Sequence, residues 1–162
     1  MQKIVKFIKK WNIYSIMDYK DERIIDILKE NSKLSTQQIS KKASIPITTV
    51  HHRIKKLEKE GIIKNYTVVL DSKKIGKAVS AYILIRVDYK LLQQIKKTQY
   101  ELAQKLKSHL DIGEAATITG ETDIIIKVGV KNMEELDNLI TNYVRNVEGV
   151  ERTQTMVVLR EA

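Results

Sequence analysis

A chain of 162 residues that lacks cysteine can contain no disulfide framework, no thiolate metal site and no cysteine nucleophile. Its apolar runs are shorter than the roughly 20 residues that span a bilayer, and lysines interrupt the N-terminal apolar residues, which argues against a signal peptide. We therefore expect a cytoplasmic protein with one domain or two small ones.

The net charge of +9 is concentrated in the first half of the chain. Residues 1–77 contain 18 Lys and Arg against 8 Asp and Glu, a net charge of +10, whereas residues 78–162 contain 11 against 12, a net charge of −1. Only the first half therefore has a positive electrostatic field that can attract a polyanion. An AT-rich genome or a hot habitat would explain abundant lysine but not its segregation, so the charge favours nucleic acid as a partner.

Residues 1–17 are expected to be an N-terminal extension. Ile4, Ile8 and Trp11 fall on one helical face, with lysines elsewhere. Such a segment could be a short helix packed on the body or lying on DNA, or a membrane-surface anchor, for which its apolar stripe is short. It could also be an artefact of gene calling if Met17 is the natural start. The sequence leaves these interpretations open.

Residues 18–62 predict three short helices. Asp18 can cap the first one, with acidic residues in its positive first turn. Ser35, followed by Gln38, is a capping-box pattern that opens a second helix of about two turns. The residues expected to be buried in these two helices are Ile24, Ile25, Leu28, Ile39 and Ala43.

The third helix is predicted at residues 46–60, starting at Pro46, where a missing backbone N–H costs little, and ending before Gly61. At 100° per residue, its apolar residues fall within one narrow sector and are expected to be buried. These residues are Ile47, Val50, Ile54 and Leu57. Arg53 lies near the edge of this sector, where it either contacts phosphate or packs with its head group in solvent, and a structural role is favoured.

The outward face of the third helix carries no acidic residue. It consists of Thr48, His52, Lys55, Lys56 and Lys59, flanked by Thr49 and His51. Thr and His can hydrogen-bond to base edges and Lys can neutralise phosphates, so we predict that these seven residues bind DNA. The predicted base-reading set is Thr48, Thr49 and His52, and the phosphate set is Lys55, Lys56 and Lys59. The competing explanation is that any surface helix of a lysine-rich protein can show such a face.

Residues 62–70 are rich in β-branched and aromatic side chains, which predicts an extended strand. Residues 71–77 have the composition of a turn. We therefore expect a linker strand and turn at 64–77, between a DNA-binding domain at 18–63 and a second domain at 78–162.

Residues 78–162 alternate between strand and helix patterns in the order β-α-β-β-α-β, the ferredoxin-like split unit, which gives an α+β fold. The strands are expected at residues 79–87, 112–119, 124–130 and 152–160. The inward-facing helix residues are expected to be Leu92, Ile95, Leu102, Leu106 and Leu110, then Met133, Leu136, Ile140, Tyr143 and Val147. The second helix begins with a capping pattern at Asn132 and Glu135 and ends at Gly149.

These patterns carry a family resemblance over about residues 18–160. The stretches IIDIL (24–28), IPITTVHHRI (45–54) and LDSKKIG (70–76) resemble the winged helix-turn-helix half of the Lrp/AsnC, or feast/famine, regulators. In the second half, TGETD (119–123) resembles their TG-x-x-D turn and VEGVERTQT (147–155) their closing GV-x-x-T-x-T stretch. Two features depart from the family: Pro46, where a capping Ser is common, and the N-terminal leader.

The resemblance implies a transcriptional regulator that forms homodimers chiefly through the sheets of its second half, with further assembly to tetramers or octamers. It also implies an amino-acid effector near the TG-x-x-D turn, with Gly120 and Asp123 as candidates and Thr153 and Thr155 as weaker ones. Asp123 could pair with an α-ammonium, and N–H groups around Gly120 could receive a carboxylate. Alternatively, Gly120 only permits the turn and Asp123 only caps it.

The expected function is a sequence-specific DNA-binding regulator that responds to an amino acid. Two alternatives remain: an enzyme similar to the haem-pathway decarboxylases of the same architecture, and an architectural protein that compacts DNA without sequence preference. No catalytic residue or cofactor is expected, because the sequence has no Gly-rich phosphate loop and no G-x-S-x-G elbow. No metal site is expected, because the adjacent His51 and His52 point about 100° apart on a helix. The expected partners are double-stranded DNA, further copies of the chain and a small amino acid, with no membrane partner.

Overall fold

The computed structural model describes residues 17–160, which divide into two compact units with the boundary between Val69 and Leu70. We call them the N-terminal unit and the C-terminal unit. Ile4, Ile8 and Trp11, on which the interpretation of the N-terminal extension depends, lie outside the described residues. None of the helices within residues 17–160 combines the length and the apolar character needed to cross a membrane.

Three helices form the N-terminal unit, as the sequence predicts: α1 (Tyr19–Glu30), α2 (Thr36–Ala43) and α3 (Ile47–Lys59). Both predicted caps are present. The Asp18 carboxylate accepts from the first-turn backbone of α1, and Ser35 and Gln38 form a reciprocal capping box on α2. The backbone N–H groups of the first helical turn have no partner within the helix. The capping side chains accept hydrogen bonds from them and so fix where each helix begins.

A tight turn joins α2 to α3. Ser44 adopts a left-handed conformation (φ 56°), and the Ile45 N–H donates to the Ser40 carbonyl at 3.2 Å. The turn places Ile45 in the small core, whose other fully buried members are Ile24, Ile39, Ala43 and Val50. Helices α2 and α3 therefore have the short connection that a helix-turn-helix requires.

The prediction that Ile47 is buried is wrong, because 47% of this residue is exposed. Ile47 is the first residue of α3, and side chains tilt towards the helix N-terminus, so this one projects past the end of the helix. The other three predicted residues are buried or partly buried: Val50 and Leu57 fully, and Ile54 in part.

The predicted strand at 62–70 is also wrong: the described chain has no strand between Lys59 and Val79. Residues 64–71 have no regular secondary structure, and the side chains of Tyr66, Val68 and Val69 are exposed. A strand requires a neighbour to pair its backbone N–H and C=O groups, and the single chain supplies none here.

The C-terminal unit has the predicted β-α-β-β-α-β order. Its elements are β1 (Val79–Val87), α4 (Tyr89–Gln94), α5 (Gln99–Lys107), β2 (Ile112–Thr117), β3 (Ile124–Val130), α6 (Met133–Asn138) and β4 (Val150–Val157). Helix α6 continues as a π-helical turn (Leu139–Tyr143) and a 3₁₀ turn (Val144–Asn146). The four strands form one antiparallel sheet in the order β2-β3-β1-β4.

Alternation along the strands gives this sheet two different faces. On one face, Ile83 and Ile85 of β1 lie opposite Ile126 and Ile124 of β3, and all four are fully buried. Buried side chains of the helices, among them Leu92, Leu102, Leu106, Leu136 and Ile140, belong to the same core cluster. The other face has no such cover within the described residues, and we call it the open face.

Three details of the C-terminal unit differ from prediction. The first helical region breaks into α4 and α5 around Lys96, which has a positive φ of 53°. Leu110 is 93% exposed because α5 has ended before it, and Met133 is 56% exposed because it is the first residue of α6. The second and last strands end earlier than predicted, at Thr117 and Val157.

Candidate functional site

The predicted DNA-binding residues lie together on the solvent side of α3. Thr49 is partly buried, and the other six are exposed: Thr48, His51, His52, Lys55, Lys56 and Lys59. Helix α3 contains one acidic residue, Glu58, whose carboxylate accepts a hydrogen bond from the Tyr66 hydroxyl at 2.8 Å. Tyr66 is eight positions from Glu58, and no sequence pattern indicates this contact. The outward face of α3 itself carries hydroxyl, imidazole and ammonium groups only.

Arg53 fastens α3 to the start of α1. Its Nη1 donates to Asp18 Oδ1 at 2.6 Å and to Asp21 Oδ1 at 2.8 Å. The hydrogen bond from Arg53 lowers the pKa of Asp18, and the two carboxylates raise the pKa of Arg53. The structural role favoured for Arg53 therefore agrees with its contacts in the structure.

Asp21 is the residue that sequence reasoning missed. It is only 1% exposed, whereas the sequence indicates only an acidic residue in the first turn of α1. Its burial is tolerated because Arg53 pairs with it, since a buried carboxylate without a partner is costly. The partners are 32 positions apart, so no local sequence pattern could have joined them.

Lys56 differs from the other lysines of the outward face. Its Nζ lies 3.8 Å from Asp21 Oδ2, so part of its charge is directed back at α1. The Lys56 side chain as a whole is nevertheless half exposed. Lys56 therefore both supports the position of α3 and adds positive charge to the outward face.

Helix α3 begins without a side-chain cap. Pro46 occupies the capping position at φ −54°, and its carbonyl accepts from the Val50 N–H at 3.0 Å. Proline has no side-chain acceptor, so the first-turn N–H groups lack the partner that a capping Ser would supply. The departure at Pro46 noted in the sequence thus changes the chemistry of the helix end nearest Thr48.

The rings of the two adjacent histidines, His51 and His52, lie edge to face, with centroids 6.0 Å apart and planes at 70° to each other. In the part of the chain that the structure describes, no group of three or more His, Asp or Glu side chains is placed to hold a metal ion. His51 and His52 both lie on the exposed surface of α3.

The second predicted site is the turn between β2 and β3. Gly120 has a φ of 120°, and a Cβ at this position would meet no heavy atom within 4 Å. Asp123 is held firmly: its Oδ2 accepts from the Val87 N–H and its Oδ1 from the Tyr89 hydroxyl, both at 2.8 Å. The hydrogen bond that the Tyr89 hydroxyl donates to Asp123 raises the pKa of Tyr89. Gln99 donates a hydrogen bond to the backbone carbonyl of Asp123. Asp123 thus joins the start of β3 to the end of β1.

Thr153 and Thr155 lie on β4, opposite Ile85 and Ile83 of β1. Thr153 accepts a hydrogen bond from Arg145 Nε at 3.2 Å. Of the four predicted effector residues, Thr153 lines a cavity of about 510 Å³ beside the β2–β3 turn, whereas Gly120, Asp123 and Thr155 do not line it. The structure therefore brings Thr153 together with the turn residues Glu121 and Thr122.

Comparison with known proteins gives a consistent result for the whole described chain. Residues 17–64 match the family model of a winged helix-turn-helix DNA-binding domain, and residues 80–162 match that of the Lrp/AsnC ligand-binding domain. The chain is 38% identical to the HTH-type transcriptional regulator FL11 of Pyrococcus furiosus over 90% of this chain and 91% of the relative.

Solved structures show the same fold. A transcriptional regulator of Neisseria meningitidis, crystallised as a complex with L-Met, superposes with a TM-score of 0.81 at 23% identity and covers 90% of this chain and 91% of its own. LrpC of B. subtilis superposes with a TM-score of 0.76 at 26% identity and covers 90% of this chain and 96% of its own. Neither the family models nor these relatives support the decarboxylase-like or the DNA-compacting alternative.

Proposed function

Because this chain belongs to the Lrp/AsnC family of transcriptional regulators, with a winged helix-turn-helix DNA-binding domain and a ligand-binding domain, we propose that it recognises a specific DNA sequence through α3 and that an amino acid tunes this binding. The proposal names the surface, the roles of its residues and the kind of effector. It also assigns the protein to the cytoplasm and gives it no catalytic role.

The main observation that supports the proposal is that the outward face of α3 has no acidic side chain. Base edges in the major groove offer acceptors and donors to hydroxyl and imidazole groups, so Thr48, Thr49 and His52 are assigned to base reading. Lys55, Lys56 and Lys59 are assigned to the phosphates, which position the protein without reading sequence. His51 flanks the two sets. The short α2–α3 turn supports this assignment, because a helix-turn-helix directs the N-terminal residues of its second helix at the bases.

The direct test is binding of the full chain to the DNA upstream of its own gene and to random DNA of equal length, at one fixed salt concentration. We expect tighter binding to the upstream DNA, because direct base contacts add discrimination to the common phosphate attraction. Equal affinity for the two DNAs would contradict sequence-specific recognition and favour the architectural alternative. Failure to bind either would contradict DNA binding by this face.

The C-terminal unit is assigned an amino-acid effector. The Neisseria relative was crystallised with L-Met, and this chain offers a turn of the TG-x-x-D type with Gly120, Asp123, Thr153 and Thr155 as the candidate residues. Both Asp123 oxygens already accept a hydrogen bond. A carboxylate has about four lone-pair sites, so Asp123 retains capacity for an ammonium group.

A homodimer, with assembly to a tetramer or octamer, is also part of the proposal. Two observations support it: the open face of the sheet, and the exposed apolar side chains of residues 66–70. A segment whose backbone groups lack a neighbour in one copy can pair with the same segment of another copy. A two-fold dimer would present two α3 helices to the two halves of a pseudo-palindromic site.

A further inference from the structure

One side-chain contact connects the end of α3 to the chain that follows it. Gly61 has a φ of 70°, a conformation that favours glycine, and the Ile63 N–H donates to the Leu57 carbonyl at 3.1 Å. This hydrogen bond turns the chain back towards α3. The Tyr66 hydroxyl then donates to Glu58 Oε1 at 2.8 Å, although the two residues are eight positions apart.

This contact matters because the following chain has little else to hold it. We call residues 64–70 the linker segment. It contains no helix or strand, and within residues 17–160 it makes no hydrogen bond besides the one from Tyr66. A segment with so few contacts moves easily. The Tyr66 hydroxyl is therefore the polar group that fixes the linker segment to α3.

The contact is stronger than an ordinary surface hydrogen bond. Its acceptor is a carboxylate, and hydrogen bonds to charged groups are roughly twice as strong as those between neutral groups. Partial burial and the Glu58 carboxylate raise the pKa of Tyr66 to about 12. The hydroxyl therefore keeps its proton and remains a donor throughout the physiological pH range.

The linker segment is also the part of the chain assigned above to pairing with another copy. Val68, Val69 and Leu70 are exposed, so apolar surface is available for that pairing. Once two linker segments are paired, the position of each α3 depends on how firmly its own linker segment is attached to it. Two helices can engage two half-sites at once only if their separation matches the spacing of those half-sites.

We propose that Tyr66 is a positioning residue for DNA recognition. Its hydrogen bond to Glu58 holds the linker segment on α3 and thereby sets the separation of the two α3 helices in the dimer. The inference rests on the proposed homodimer and on the proposed DNA-binding face of α3. It names the residue pair that determines which half-site spacing the dimer accepts.

Distances between spin labels, measured by pulsed electron spin resonance on the full chain, test this without DNA. The chain lacks cysteine, so Gln37→Cys, at an exposed position of α2, gives one label per copy and one distance per dimer. We expect a narrow distance distribution for this labelled protein and a clearly broader one when Tyr66→Phe removes the hydroxyl. Tyr100→Phe is the matched control, because the exposed Tyr100 has no hydrogen bond from its hydroxyl within the described residues. It should leave the distribution narrow.

Substitutions of Glu58 test the other partner of the contact. Glu58→Ala should broaden the distribution as much as Tyr66→Phe, and the two changes together should add nothing further, because each removes the same interaction. Glu58→Gln retains an oxygen that can accept the hydrogen bond, so it should restore most of the narrow distribution.

DNA duplexes that carry the upstream site provide a second measurement. Inserting or deleting base pairs at the centre of the site changes the half-site spacing, and we expect each change to weaken binding of the wild type. Tyr66→Phe should bind the natural spacing about tenfold more weakly, with a much smaller dependence on spacing. Its affinity for random DNA should be unchanged, since the outward face of α3 is intact.

Equally narrow distributions with and without the Tyr66 hydroxyl would overturn the inference and leave the proposed regulator standing. A lower unfolding temperature for Tyr66→Phe with an unchanged distance would also overturn it, because the contact would then serve only stability. The lack of any pair distance in the labelled protein would contradict the proposed homodimer and the inference with it. The expected broadening without any preference for upstream DNA would contradict sequence-specific recognition and still support the role of Tyr66 in positioning α3.

Discussion

At the scale of single residues, Arg53 and Asp21 decide how α3 is held. The Asp21 carboxylate is buried, and Arg53 Nη1 bridges it to the exposed Asp18. Asp18 in turn caps α1 with the same carboxylate that Arg53 binds. One guanidinium therefore fixes both the start of α1 and the position of α3, which carries the proposed DNA face.

We expect Arg53→Met to destabilise the N-terminal unit by about 3 kcal/mol, because it leaves the buried Asp21 without its main partner. Urea unfolding of the wild type and the variant measures this difference. Lys55→Met is the matched control on the same helix: its side chain is exposed, so its stability should stay within about 0.5 kcal/mol of wild type. Equal stabilities for Arg53→Met and Lys55→Met would contradict this role.

The Asp18–Arg53 pair also predicts a dependence of stability on pH. The pKa of Asp18 is lowered from 3.8 in the folded state, chiefly by the hydrogen bond from Arg53. A depressed pKa contributes stability that is present above pH 3.8 and is lost as the pH falls below it. Asp18→Asn retains a capping side chain but removes the charge, so it should be less stable than wild type at about pH 6 and approach it at about pH 2.5. A stability difference that does not change with pH would contradict the assignment.

At the scale of elements, the sequence predicted correctly the helices and strands that depend only on residues close together in the chain. Caps such as Asp18 and Ser35 and the alternation along β1 need only neighbouring residues, and these elements formed as expected. The failures involve helix ends and missing neighbours. Ile47 is exposed because it begins a helix, and the strand predicted at 62–70 has no partner strand within the described chain.

The candidate sites were likewise predictable from the sequence only where local periodicity determines which residues lie together. Helical periodicity alone places Thr48, His52 and Lys55 on one exposed face. The contacts of Arg53 with Asp21 and of Asp123 with Val87 depend on tertiary packing between distant segments. No spacing rule in the sequence joins such pairs.

The turn between the last helix and β4 yields a further prediction. Gly149 has a φ of 103°, and a Cβ there would lie 2.6 Å from Leu92 Cδ2 and 3.3 Å from Leu102 Cδ2, both in buried side chains. We expect Gly149→Ala to destabilise the C-terminal unit by about 3 kcal/mol through backbone strain and overpacking together. Gly120→Ala adds strain without a clash and should cost less in thermal unfolding. A smaller loss for Gly149→Ala than for Gly120→Ala would contradict the packing argument.

At the scale of the whole molecule, the positive charge is concentrated in one part of the chain. The positive charge lies in residues 1–77, which include the DNA-binding domain, while residues 78–162 are close to neutral. Apolar side chains exposed at 66–70 lie between the two matched domains. This division suits a protein in which one part meets a polyanion and another meets further copies of the chain.

Val69, which is fully exposed, tests the assembly. We expect Val69→Lys to shift the protein towards the monomer, because a charged side chain opposes pairing of this segment with another copy. Analytical ultracentrifugation across a range of concentrations measures the shift. Ser72→Lys adds the same charge in the following turn and should leave the mass unchanged. Identical masses for both variants and the wild type would contradict pairing through this segment.

DNA recognition by the outward face of α3 is tested by the ratio of the dissociation constants for upstream and random DNA, measured in two variants. We predict that Lys55→Ala weakens both complexes alike and lowers the salt dependence by about one phosphate contact. Thr48→Ala should instead reduce the preference for upstream DNA by about 1 kcal/mol or more, with little loss on random DNA. If neither substitution changes DNA affinity, this face of α3 is not the surface that binds DNA.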